Sequence, residues 1–226
     1  MERARRYLHA LIEAVLAFAA PASCAACGEP PSPDGPFCAA CESLRGTHDG
    51  CHVVAGVPLR VAGIYASPLS DAIRRFKYAG RPDMARPLSR LIIEPARALA
   101  AGPGVLLVPV PLHPRRLAER GYNQAALLAR ELARCSGAHY RPRALLRQKY
   151  TTPQVGKSGA ERSASVEGVF AVRNAGRLRG ASVILVDDVA TTGATLSACI
   201  AALEGAGAEV RGALALARAS KVGLDC

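Results

Sequence analysis

The sequence has no tryptophan, and phenylalanine with tyrosine brings its aromatic share to only 4%. A dominant platform of stacked rings for single-stranded nucleic acid is therefore excluded. Acidic residues are also scarce: 18 Asp and Glu stand against 29 Lys and Arg, for a net charge of +11. That balance favours phosphate-bearing partners such as nucleotides, sugar phosphates or nucleic acid. An arginine- and alanine-rich composition produces the same charge without any such partner. No stretch is long and apolar enough to span a bilayer. What is present is core material: half of the 226 residues are hydrophobic and the mean hydropathy is +0.14. The chain is thus no disordered polymer, and its length suits one domain with or without a small appendage.

The N-terminus imitates a targeting signal, with Arg3, Arg5 and Arg6 ahead of an apolar run from Leu11 to Ala20. Glu13 interrupts that run. Tyr7, Leu8, Leu11, Ile12, Val15, Leu16 and Ala19 recur at helical spacing, which makes one face apolar rather than the whole cylinder. Pro-Ala-Ser before Cys24 is a poor lipoprotein cleavage site. The expectation is an amphipathic helix over residues 7–19 docked on the protein, and a cytoplasmic location.

Eight cysteines are present, and Cys24-Ala-Ala-Cys27 and Cys38-Ala-Ala-Cys41 form two C-x2-C knuckles. Each knuckle turns two thiolates toward one point, and a pair of knuckles supplies the tetrahedral sulfur set that Zn²⁺ prefers. Gly28 follows the first knuckle, where a tight turn needs positive φ. The Pro-rich segment between the knuckles forms no long helix or strand, so metal would be its main source of order. Two disulfides in a secreted protein are the competing reading. The favoured one is a structural zinc on Cys24, Cys27, Cys38 and Cys41. Cys51 with His52 offers a substitute ligand that the spacing does not require. Cys135 and Cys199 fall in helical patterns and are expected to be small buried residues.

From about residue 56 strands and helices alternate. Strands are predicted at 57–64, 105–111, 183–186 and 210–216. Helices are predicted over 69–78, 87–101 with a break or kink at Pro95, 123–134 and 195–203, with a charged loop carrying Arg115, Arg116 and Arg120 after the second strand. The fold class is α/β with a largely parallel sheet flanked by helices. Residues 1–55 read as an N-terminal helix and cysteine module, and residues 56–226 as the α/β domain. Gly156-Lys157-Ser158 imitates the end of a Walker A loop, but the first glycine of that pattern would fall at Thr151 and no apolar strand leads into it.

The most informative segment is Val183-Ile-Leu-Val-Asp-Asp-Val-Ala-Thr-Thr-Gly-Ala-Thr195. Asp187 and Asp188 emerge at the carboxyl end of a buried strand, where open α/β sheets bind ligands. Thr191, Thr192 and Thr195 supply hydroxyls, and Gly193 lets backbone N–H groups approach an anion at a helix start. Phosphate grip and hydroxyl recognition together match a ribose 5-phosphate. A plain strand–turn–helix with a good cap is the alternative. No residue presents itself as a nucleophile. Among five scattered histidines, His113 follows a strand, and it reads as a surface residue rather than a site residue.

This segment resembles the phosphoribosyl-pyrophosphate signature of type I phosphoribosyltransferases. Together with the four cysteines, Phe76-Lys77-Tyr78-Ala79-Gly80, Val108-Pro-Val-Pro111, Arg120-Gly-Tyr-Asn-Gln124 and Thr152-Pro-Gln154, taken in that order, the chain is similar to the ComF family. That family joins a zinc-ribbon-like module to a phosphoribosyltransferase domain and is linked to natural competence. The resemblance implies that Asp187 and Asp188 hold the ribose hydroxyls and that Ala190, Thr191, Thr192, Gly193, Ala194 and Thr195 cradle the 5-phosphate. It also implies that Arg115 or Arg116 neutralises the diphosphate beside Mg²⁺, and that residues 147–162 form a closing loop. Two departures stand out. Only Cys51 lies near the place of a further cysteine pair, and Arg162 is followed by Ser-Ala-Ser where many relatives have Arg-x-x-Asn.

The chemistry implied is displacement of pyrophosphate from ribose C1. Carboxylates would face the positive charge that develops on the ring, and Mg²⁺ with arginine would serve the leaving group. Two classes of function follow: an enzyme that transfers phosphoribosyl to an unidentified acceptor, or a ligand-sensing protein whose partner is single-stranded DNA or a competence helicase.

Overall fold

In the computed structural model, residues 23–33, 35–46, 52–148 and 168–219 are described. Val183, Ile184, Leu185 and Val186 are all wholly buried. A strand apolar on both faces belongs in the interior of a covered sheet. Accordingly β7 (Ser182–Val186) runs parallel between β3 (Leu106–Pro109) and β9 (Glu209–Arg218). Beyond β9 lies β2 (Val57–Ile64), also parallel, and then β1 (His52–Val54), antiparallel to β2 at the edge. Beyond β3 lies β4 (His139–Tyr140). The short β8 (Val189–Ala190) pairs with the end of β9. A separate antiparallel pair joins β5 (Leu145–Arg147) to β6 (Phe170–Val172). The sheet is α/β and mostly parallel, as its apolar runs predict.

The helices are α1 (Ala39–Leu44), α2 (Leu69–Tyr78), α3 (Ala85–Ser89), α4 (Ile93–Ala98), α5 (Pro114–Arg120), α6 (Gln124–Ser136) and α7 (Ala194–Gly205). Alternation along the strands sorts the core into two layers. Ile184, Val186, Leu214 and Leu216 pack with α2, α3 and α6 on one side. Val183, Leu185, Ala213 and Ala215 pack with α7 on the other. Cys24 and Phe37 are fully buried in the first layer, beside Ala72, Ile73 and Phe76 of α2. No helix among the described residues is long and apolar enough to cross a membrane.

Several expectations are corrected. The break expected in the 87–101 helix is present but falls ahead of Pro95, as α3, a 3₁₀ turn at Arg90–Ile92 and α4. Pro95 has no N–H to give to the Leu91 carbonyl, so one α-helix cannot run unbroken through it, and it sits instead in the first turn of α4. The charged loop carrying Arg115, Arg116 and Arg120 is the helix α5. Pro114 opens it, the His113 ring accepts a hydrogen bond from the Arg115 N–H at 3.2 Å, and Gly121 ends it in the left-handed conformation. Cys199 is buried as expected, but Cys135 is exposed. The buried face of α6 ends at Leu132, and its last turn carries no buried residue. The residue 7–19 helix, Cys51, Thr152-Pro-Gln154, the Gly156-Lys157-Ser158 decoy and all of the 147–162 segment beyond Gln148 lie outside the described residues.

Candidate functional site

The structure brings two groups of residues together. The first is the cysteine cluster. The Sγ atoms of Cys24, Cys27, Cys38 and Cys41 all lie within 4.8 Å of one another, and none of these thiols is in a disulfide. Cys27 Sγ and Cys38 Sγ are 3.7 Å apart. A tetrahedron with Zn–S bonds of about 2.3 Å has edges of about 3.8 Å, so the spacing fits Zn²⁺ and is far too long for S–S bonds. Burial pushes the Cys24 thiol up, but backbone N–H groups of Cys27, Cys38 and Ala26 outweigh that and bring it down to about 6. Cys41 is raised, by burial and then by the neighbouring thiols. A low-pKa thiol packed among other thiols is a donor set that a divalent cation neutralises. Gly28 has φ +91°, closing the first knuckle with its N–H on the Cys24 carbonyl at 3.1 Å. From outside the module, Arg75 Nη1 on α2 donates to the carbonyls of Cys24 at 3.0 Å and Ala26 at 3.1 Å.

The second group is at the carboxyl end of β7. Asp187 N–H donates to the Leu214 carbonyl at 2.8 Å, which holds the chain to β9 for one residue past the strand. Asp187 Oδ1 then accepts the Asp188 N–H at 2.8 Å. Asp188 is buried, and its Oδ1 lies 2.9 Å from Lys77 Nζ. Burial pushes the Asp187 carboxyl up to about 7, and the charge of Asp188 adds to that. The Asp188 N–H, Lys77 and Arg147 pull it partway back. The acidic pair is therefore a place where negative charge is held at a cost, ready to be repaid by a donor or cation.

Beyond the pair, Ala190 is buried in β8, and Thr191 and Thr192 are exposed. Gly193 is the N-cap of α7 at φ +74°, a conformation that favours glycine. Thr192 Oγ1 accepts the Ala194 N–H at 3.4 Å, and Ala194 and Thr195 form the first turn of α7, half-buried. Threonine hydroxyls and the open end of a 12-residue helix thus lie next to the two carboxylates in the chain.

Arg115 and Arg116 both sit on α5, which follows β3, the strand adjoining β7. Arg115 is exposed and lies 3.2 Å from Glu119. Arg116 is half-buried and acts electrostatically on Arg147. The Arg147 guanidinium lies 5.6 Å from the Phe170 ring and is pushed down, first by burial and then by Arg116, while Cys199 and Asp187 act the other way. Arg116, Arg147 and Asp187 therefore share one electrostatic neighbourhood. Lys77 stands in the sequence within Phe76-Lys77-Tyr78, and no spacing rule ties residue 77 to residue 188. His113 is absorbed as a helix cap.

A family model, the phosphoribosyl transferase domain, matches residues 117–225. Competence protein F of Haemophilus influenzae is 34% identical over 164 residues, covering 70% of this chain and 72% of that protein. The chain belongs to the competence protein F family. Within the same group, DNA utilization protein YhgH of Escherichia coli K12 is 30% identical over 187 residues, 77% of this chain and 80% of that one. Among solved structures, the allosteric regulatory enzyme of purine biosynthesis aligns at 21% identity with a TM-score of 0.40, covering 62% of this chain and 29% of that one.

Proposed function

We propose that this family member binds phosphoribosyl pyrophosphate with Mg²⁺ and transfers the phosphoribosyl group to an acceptor. The observation that carries this reading is the acidic pair at the end of β7 leading into Thr191–Thr195 at the start of α7, inside the matched phosphoribosyl transferase domain. Asp187 and Asp188 accept hydrogen bonds from the ribose hydroxyls. Backbone N–H groups from Ala190 to Thr195, with the threonine hydroxyls, hold the 5-phosphate. Arg116, and Arg115 at the more exposed edge of α5, balance the charge of the diphosphate. When bound, Mg²⁺ supplies charge neutralisation for the leaving diphosphate. As the C1–O bond breaks, positive charge grows on the ribose ring, and the ionised acidic pair stabilises it. Positioning accounts for much of the remaining rate.

The cysteine cluster takes one zinc in a structural role, since four thiolates leave no open coordination position. The net charge of +11 favours a second reading, in which the same pocket senses a phosphoribosyl ligand while the basic surface meets DNA. Calorimetric titration with phosphoribosyl pyrophosphate and Mg²⁺ tests ligand binding. Pyrophosphate release with a panel of nucleobases then separates transferase from sensor. Binding without release under any acceptor, joined to a DNA mobility shift that weakens steeply with salt, would favour the sensor. Absence of binding would remove both readings.

A further inference from the structure

Three consecutive residues at the end of α2 reach three different parts of the molecule. Arg75 Nη1 donates to the carbonyls of the first cysteine knuckle at 3.0 and 3.1 Å. Phe76 is fully buried, its ring 6.0 Å from that of Tyr122, and its carbonyl accepts the Tyr122 hydroxyl. Lys77 Nζ meets Asp188 Oδ1 at 2.9 Å. Lysine is a long, flexible cation that ordinarily extends into water, and holding its head against one carboxylate costs side-chain entropy. Here the Lys77 side chain is 19% exposed and the Asp188 side chain 12%, so little solvent screens the pair. The helix is fixed at the two residues before Lys77: Arg75 ties it to the knuckle, and the Phe76–Tyr122 contact ties it to the entry of α6.

We propose that Lys77 is a positioning residue for the acidic pair, fixing the Asp188 carboxylate at the end of β7 for the incoming ribose hydroxyls, and that Arg75 sets where α2 delivers it. The ligand in this proposal rests on the phosphoribosyl reading; the Lys77–Asp188 contact does not. Among the described residues, charged or titratable groups coupled to Asp187 besides Asp188 are Lys77 from α2, Arg147 from β5 and Cys199 from α7. Lys77 and Arg147 are cations that act on Asp187 among the described residues, and removing Lys77 takes one of them away, so Asp187 should hold its proton to higher pH. Ribose hydroxyls would then meet a pair that is less ionised near neutrality, and ligand affinity should fall most there.

The test uses the full-length, zinc-loaded protein with Lys77→Met, Lys77→Gln, Lys77→Arg, Arg75→Met and the Arg75→Met/Lys77→Met double variant, each checked for folding by thermal melt. Arg75→Lys replaces Arg75→Met if the latter does not fold. Titration with phosphoribosyl pyrophosphate and Mg²⁺ at pH 7 should show about a ten-fold loss for Lys77→Met, as expected for a hydrogen bond to a charged group. The loss should shrink toward pH 9, and Lys77→Arg should restore most of the affinity. Arg75→Met should weaken binding when Lys77 is present and have no further effect when residue 77 is Met, the signature of a shared pathway. In the ligand-free protein, carboxyl carbon NMR should show the Asp187 midpoint moving to higher pH in Lys77→Met and Lys77→Gln. Equal or tighter binding by Lys77→Met, or an unmoved Asp187 midpoint, overturns the positioning role. Equal costs of Arg75→Met in both backgrounds overturn the part given to Arg75. If the wild type binds no phosphoribosyl ligand, the function reading fails while the carboxyl titration still decides the role of Lys77.

Discussion

The cysteine module and the acidic loop are held in place by different physics. The loop inherits its geometry from packing: β7 is buried on both faces and hydrogen-bonded to strands on both sides, so its carboxyl end has little choice of position. The module has few apolar anchors of its own. Cys24, Ala25 and Phe37 are buried against α2, while α1 carries no buried residue. Its cysteine positions make sense as a donor set, and Arg75 of α2 holds its carbonyls. One region is held because the chain folds; the other, on the proposed zinc reading, would be completed by an ion and a distant arginine. Sensitivity to metal and sensitivity to backbone strain should therefore fall on opposite regions.

The largest effect should come from breaking the module. Cys24→Ser removes the buried, low-pKa donor, and metal analysis should show loss of the single zinc. Structural zinc in small modules is worth about 10–16 kcal/mol at neutral pH, so hydrogen exchange should show the module opening while β3, β7 and β9 stay protected. Protection lost equally in both regions would erase the contrast. The counterpart in the loop is Gly193→Val. A β-branched side chain at φ +74° is strained and crowds the phosphate approach. Ligand binding should become undetectable by calorimetry while zinc content stays at one per chain.

Finer substitutions sharpen the comparison. Asp187→Asn or Asp188→Asn should cost about 1.5–3 kcal/mol of ligand binding, roughly ten- to a hundred-fold. Asp188→Asn should also free Lys77, so it should be the worse of the two. Proton linkage gives the next effect its sign. The Asp187 carboxyl is raised to about 7 in the folded protein, above its ordinary value of 3.8. Its contribution to stability is therefore fully present below pH 3.8 and is lost as pH rises through 7. Ligand affinity should run the other way and increase from pH 6 to pH 8 as the pair ionises. Asp187→Asn should flatten both profiles, measured by thermal melts and by titration across that range. Smallest of all is Thr191→Ala. Its side chain is exposed and backbone donors remain, so binding should change by no more than about 0.5 kcal/mol.

The strands were legible in the sequence because burial on two faces writes an uninterrupted apolar run. Val183–Val186 falls where such a run puts it, and Val57–Ile64 is found where the sequence reads as a strand, although Pro58 and Arg60 interrupt its apolar residues. Pairs such as β1 with β2 and β5 with β6 were not legible, since strands of three residues leave no period to read. The knuckle spacing announced the cysteine cluster for a related reason: a C-x2-C turn is local, and its chemistry follows from adjacent residues. Lys77 and Arg147 were hidden because their partners lie far along the chain, and the sheet order that brings them together is a tertiary fact. The helix at Pro114–Arg120 reads as a loop because its arginines leave no apolar period, although His113, Pro114 and Gly121 mark its ends.

The shared core between module and sheet bears on how this protein can be divided for production. Starting a recombinant chain at residue 56 looks natural from the composition, but it would remove Cys24 and Phe37 from the core that also holds Ala72, Ile73 and Phe76. It would also remove β1 and leave β2 as an unpaired edge. A bare apolar face beside an open strand is a recipe for self-association. The shorter product should therefore enter inclusion bodies or elute as large aggregates, where a chain retaining residues 23–55 stays dispersed.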